Sequence, residues 1–151
     1  MRPILLVPGL HGAGPGPWLS LWEGSMRQAR RVAMPNWEHP HRSAWIEALD
    51  QAIRRANDSG APPILVGHAL GCLAIVHWAA DRHQPVHAAL LVAPLDLESS
   101  DTSDLRKEWA PIPLGSLPFQ ARVVASSNDP HCSLERARAM ARAWGAAFTD
   151  V

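Results

Sequence analysis

The chain has 151 residues, of which 47% are hydrophobic and 19% charged, with 14 basic side chains against 14 acidic ones. A formal charge of zero supplies no field to draw in polyanions or acidic lipid, which argues against a nucleic-acid or membrane-surface role. The apolar content is that of one globular domain able to bury roughly two-thirds of its unfolded surface, and it excludes a disordered chain. Pro3 to Val7 is a continuous apolar run of the kind buried on both faces of a sheet, and it predicts the first strand. The run Gly9-Leu10-His11-Gly12-Ala13-Gly14-Pro15-Gly16-Pro17 then predicts a tightly turning loop. A helix is expected over Trp18 to Arg27, and a short strand over Arg31 to Met34, closed by Pro35. Ser43 is the expected N-cap of a helix whose Trp45, Leu49, Ala52, Ile53 and Ala56 share one face, until Asn57-Asp58-Ser59-Gly60 stops it.

Pro63 to Gly67 predicts a second buried strand, and Leu70 to Ala80, apolar around most of its circumference, a helix pressed against a sheet. Ala88 to Ala93 predicts a third such strand. Pro94 to Pro118 carries four prolines (Pro94, Pro111, Pro113 and Pro118) and no period, so it reads as a lid-like loop with Trp109 as its main apolar contact. Arg122 to Ala125 predicts a strand, followed by a helix capped by Ser133. That helix carries Leu134, Ala137, Met140, Ala141 and Trp144 on one side and ends at Gly145. Ala147 to Val151 starts a last strand. Strict alternation of this kind implies an open, mostly parallel α/β sheet with helices on both faces, and the loops beyond the strands' carboxyl ends should hold the site.

The chain contains no apolar run approaching the roughly 20 residues of a membrane span, and the opening strand is too short for a signal-peptide core, so a cytoplasmic protein is expected. Cys72 and Cys132 have neither disulfide-framework nor zinc spacing. In His39-Pro40-His41 the proline fixes the two imidazoles in a solvent loop, and no third ligand has a natural spacing. Neither a metal nor a cofactor is therefore expected.

The informative segment is Gly67-His68-Ala69-Leu70-Gly71, between a buried strand and a buried helix. Where a strand turns abruptly into a helix, the apex residue is strained, and side chains two positions away on either side would collide with the bend. Gly67 and Gly71 relieve that collision. In a nucleophile elbow the apex is a serine, whose hydroxyl is thereby held above the sheet. Here it is Ala69, whose methyl group has no lone pair to attack a carbonyl, and Cys72, one turn into the helix, points elsewhere.

Pro8-Gly9-Leu10-His11-Gly12 with Gly14-Pro15 and Trp18, the bend Gly67 to Cys72, and Ser126-Ser127-Asn128-Asp129-Pro130 together resemble the small capless α/β-hydrolases related to the retinoblastoma-binding serine hydrolase, common in bacteria. The resemblance covers the whole chain as a single domain, 1–151. It implies that Ala69 stands at the position of the nucleophilic serine, that Asp129 is the triad acid, and that the backbone N–H groups of Leu70 and Leu10 form the oxyanion hole. It further implies a carboxylesterase-like hydrolysis through an acyl-enzyme, with a small acyl compound as substrate and no metal or cofactor. The family's catalytic histidine lies in a Gly-His pair after one further strand, before a closing helix, so over residues 1–151 the expectation is an inactive chain that Ala69→Ser alone does not revive and whose uncovered sheet promotes association. His131 shares the Asp129 loop, and His11 and His68 neighbour the cleft. His39, His41, His77, His83 and His87 read as surface or helix residues. Retention of the whole bend favours an altered or shortened enzyme over a pseudo-hydrolase binding module.

A dinucleotide-binding reading rests on Gly12-Ala13-Gly14-Pro15-Gly16 after the first strand, with Glu38 after the second. The spacing between the last two glycines is one residue short of the fingerprint, and Pro15 and Pro17 remove N–H donors that would face a pyrophosphate.

Overall fold

The computed structural model describes residues 1–9, 17–98, 103–130 and 132–151. Strands and helices alternate without exception: β1 (Ile4–Val7), α1 (Pro17–Ser25), β2 (Ala29–Arg31), α2 (Arg42–Asp58), β3 (Ile64–His68), α3 (Leu70–Asp81), β4 (Ala88–Val92), α4 (Ser103–Trp109), β5 (Gln120–Ala125), α5 (Leu134–Trp144) and β6 (Ala147–Asp150). The strands form one sheet in the order β2-β1-β3-β4-β5-β6, and every pairing is parallel. This is the open parallel α/β architecture that the alternation of apolar runs implies.

The pleat sorts side chains onto two layers. Leu6, Ala29 and Val66 meet Leu19 of α1 on one face. Leu5, Val7, Leu65, Leu91 and Val123 lie in the larger core with α2, α3 and α5 on the other. Successive residues of a strand face opposite sides, so a strand covered on both faces must be apolar, as β1 is throughout and β3 is from Ile64 to Gly67 before it ends at His68. Ten residues of α3, from Leu70 to Ala79, are buried, which accounts for its lack of a polar face.

Three local expectations need correction. The second strand is Ala29–Arg31, not Arg31–Met34. Val32 and Met34 are buried and drew the reading downstream, but only Ala29, Arg30 and Arg31 pair in register with Ile4, Leu5 and Leu6. The N-cap of α2 is His41, without a side-chain capping bond, and Ser43 lies inside the helix. A carboxylate from another element supplies the missing acceptor, because the Arg42 N–H donates to Oε1 of Glu108 at 2.9 Å. The Pro94 to Pro118 stretch is not a plain lid-like loop, since α4 occupies Ser103–Trp109. Trp109 is fully buried, as its expected apolar role requires. His77 is a helix residue, as expected, and lies in the core on α3, 6% exposed, with Nε2 2.8 Å from the carbonyl oxygen of Trp109.

Polar side chains fasten these layers. Asp50 of α2 is buried. It accepts from Nε1 of Trp78 at 2.9 Å and from Nε2 of Gln84 at 2.8 Å, and it pairs with Arg54 and Arg82. Burial alone would raise its pKa, but these hydrogen bonds and the Arg82 charge hold it below the ordinary value of 3.8. Trp45, Trp109 and His77 form a chain of edge-to-face contacts with centroid separations of 5.7 Å, joining α2, α4 and α3. At the other end of the chain α5 follows the sequence closely. Ser133 caps it by accepting from the Arg136 N–H at 3.1 Å, and Gly145 ends it in the left-handed conformation.

Candidate active site

At the carboxyl edge of the sheet, β3 passes into α3 through a single residue, Ala69, with φ 53° and ψ −114°. An L-residue reaches that region only under strain, because its Cβ crowds the flanking carbonyl groups. The peptides around it are anchored. The Ala69 N–H donates to the Val92 carbonyl at 3.1 Å, and the Ala69 carbonyl accepts from the Cys72 N–H at 3.0 Å.

The flanking glycines are required by space. A Cβ on Gly67 would lie 2.8 Å from Cδ1 of Ile75 and 3.1 Å from the Cys72 nitrogen, and a Cβ on Gly71 would overlap the Val7 carbonyl at the end of β1. Sequence reasoning did not single out Gly9, whose own Cβ would stand 3.1 Å from the His68 oxygen and 3.2 Å from Cβ of Ala69. The segment after β1 therefore lies directly against the bend, main chain on main chain. Its signal was present in Pro8-Gly9, but the contact spans sixty positions and no local pattern reports it.

Leu70 opens α3, so its N–H belongs to the first turn, which has no intrahelical acceptor and carries the positive end of the helix dipole. Leu10, the other expected oxyanion donor, lies outside the described residues, as do His11, His131 and the Gly12 to Gly16 run of the dinucleotide reading.

Asp129 is half-buried on the loop between β5 and α5. Its own N–H closes a turn onto the Ser126 carbonyl at 3.2 Å. Its charge acts on His68, the residue before Ala69. Burial holds the His68 pKa below 6.5, and the Asp129 carboxylate partly offsets that. His68 also packs edge-to-face on Trp18 at 5.5 Å, so Trp18, Ala69, His68 and Asp129 gather at one edge of the sheet.

The two cysteines are placed as inert groups. Cys72 is fully buried, with Sγ 3.4 Å from the Val92 carbonyl oxygen, and burial pushes its thiol far above the ordinary range. Cys132 is also buried, and its thiol is pushed up to about 12 by burial and by the negative charges of Asp96 and Asp129. Asp96, on the loop after β4, pairs with Arg136 of α5 at 3.3 Å.

The family model described as Serine hydrolase matches residues 4–151. Among solved structures, a YdeN-like hydrolase from Pectobacterium atrosepticum is 29% identical and superposes with a TM-score of 0.84, covering all of this chain and 77% of that one. The ydeN gene product of B. subtilis is 20% identical with a TM-score of 0.78, covering all of this chain and 85% of that one. Est1E from Butyrivibrio proteoclasticus shares the fold at 13% identity and a TM-score of 0.77, covering 99% of this chain and 78% of that one. No curated protein matches the chain.

Proposed function

Because the chain belongs to the serine hydrolase family, we propose that it carries the scaffold of an acyl hydrolase acting through an acyl-enzyme, with the nucleophile's seat intact and the nucleophile itself replaced by Ala69. The observation that supports this reading is the backbone at position 69. A strained φ of 53° in a bend bracketed by Gly67 and Gly71 lifts a side chain clear of the sheet beside a helix N-terminus. With a serine there, the hydroxyl would attack the carbonyl carbon of an ester or related acyl compound. The Leu70 N–H, and by resemblance that of Leu10, would stabilise the oxyanion, and Asp129 would orient the imidazole that takes the hydroxyl proton. No step of this chemistry calls for a metal or a cofactor.

With alanine at 69, the first step has no electron pair to start from. Removing the nucleophile of an unrelated serine hydrolase lowers turnover by on the order of a million-fold, so the chain as it stands is expected not to turn acyl compounds over. Two measurements test this. Purified chain is expected to hydrolyse a panel of short- and medium-chain p-nitrophenyl esters no faster than buffer, and ester turnover that co-purifies with the folded chain would overturn the inactive assignment. Ala69→Cys places a thiol on the apex against a background of two buried, protonated cysteines. Iodoacetamide is expected to modify that thiol at least about tenfold faster than Cys72 or Cys132, and equal rates would show that position 69 is no seat for a nucleophile.

A further inference from the structure

A cavity of about 780 Å³ lies away from the bend, at the β2 edge of the sheet between that strand and α2. Its floor is apolar and low. Leu5 and Val32 contribute from the sheet side, and Ala48, Ala52 and Ala56 form a stripe of small side chains along α2. The rim is basic. Arg27, Arg30 and Arg55 are solvent-exposed, and among the described residues none of the three makes an ion pair and no carboxylate lines the cavity. Arg30 pairs in register with Leu5, so both side chains stand on the α2 face, and the guanidinium group rises directly beside the apolar floor. Arg31 projects to the opposite face, where Glu23 and Ser20 engage it. The chain is neutral as a whole, and this concentration of unpaired positive charge over an apolar trough therefore reflects local placement.

We infer that this groove binds a single-chain carboxylate, a medium-chain fatty acid anion, with the alkyl chain laid along Leu5, Val32 and the alanine stripe and the carboxylate held between Arg30 and Arg55. The volume falls within the about 300–1,000 Å³ of small-molecule pockets. Guanidinium groups match a carboxylate by paired N–H donation, which an ammonium group does not. Charge complementarity selects the occupant: a second copy of the chain would bring arginines against arginines, and a neutral lipid would leave the rim unpaired. The inference does not depend on chemistry at position 69, since β1 separates β2 from the strand that carries the bend.

Calorimetric titration of the chain with sodium decanoate below its micellar concentration, at low ionic strength, tests the inference. One decanoate is expected per chain, with decanol at least about tenfold weaker and the affinity falling as salt is added. The double variant Arg30→Gln/Arg55→Gln should bind decanoate roughly three- to tenfold more weakly with an unchanged melting temperature, the scale set by two exposed ion pairs. Ala52→Phe, which fills the trough, should weaken decanol and decanoate alike. Absence of saturable decanoate binding would overturn the inference. So would binding indifferent to both the arginine and the Ala52 substitutions, as for a ligand held at the bend, or sedimentation with phosphatidylserine-containing vesicles without binding of the monomeric acid.

Discussion

Alanine carries a Cβ that disfavours positive φ, and at position 69 the chain adopts φ 53° and ψ −114° without the chemistry a serine would bring. Glycine reaches that conformation freely, so Ala69→Gly is expected to stabilise the fold by about 1 kcal/mol, seen as a rise of a few degrees in melting temperature. An unchanged or lower melting temperature would mean that the bend holds no strain. Two residues along, the opposite substitution is expected to be severe. Gly71→Ala drives a methyl group into the Val7 carbonyl and should cost roughly 3 kcal/mol or prevent folding, measured by urea titration. The need for Gly67 and Gly71 was legible in the sequence because the collision they avoid is local. The approach of Gly9 was not, because it depends on which strand lies beside β3. His77 also left a readable mark: a histidine on a helix apolar around its whole circumference has nowhere to go but inward.

Between elements, two polar fasteners set how α2, α3 and α4 sit on one another. Asp50 is the acceptor for Trp78 and Gln84 and the partner of Arg54 and Arg82. Asp50→Ala leaves the buried indole N–H without its acceptor, and a loss of about 3 kcal/mol is expected in a chemical melt. The folded-state pKa of Asp50 lies below 3.8. Its contribution is therefore complete above that value and fades as pH falls through the lower folded value, so the wild-type and Asp50→Ala melting curves should converge in strong acid. His77 titrates in a milder range. Burial lowers its pKa below 6.5, the hydrogen bond with the Trp109 carbonyl partly restores it, and the Arg42 charge lowers it again. The unfolded chain then takes the proton first, and stability should drop as pH falls from about 6.5 through the folded value while staying flat above. His77→Gln retains a donor for the Trp109 carbonyl and removes the titration. A shallower decline between pH 7 and pH 5 is expected in thermal melts, and an identical slope would place the pH dependence elsewhere, at His68 first. Helix α4 escaped the sequence reading because seven residues, Ser103–Trp109, are too few to establish a period, and its hold on α2 comes from long-range contacts, the bond between Glu108 and the Arg42 N–H and the packing of Trp109 on Trp45. The displacement of β2 has a similar origin: Val32 and Met34 are buried beyond the last residue in register with β1, and burial past the end of a strand mimics its continuation.

For the whole molecule, alternation of apolar runs with helical periods was enough to read a parallel α/β sheet, since parallel neighbours need crossovers and crossovers need helices. The order β2-β1-β3-β4-β5-β6 was not readable, because side-chain pattern tells a strand how deeply it is buried but not who lies beside it. That order brings the ends of β1 and β3 together and sets Gly9 against Ala69. Charge followed the same division: composition gave neutrality, while the clustering of arginines on the β2 edge emerged only from three-dimensional placement. Since Gly9 meets the bend main chain on main chain, the contour around position 69 is set by backbone atoms more than by the side chain at its centre. A change of side chain at 69 thus alters which atom stands at the apex while leaving the main chain around it in place.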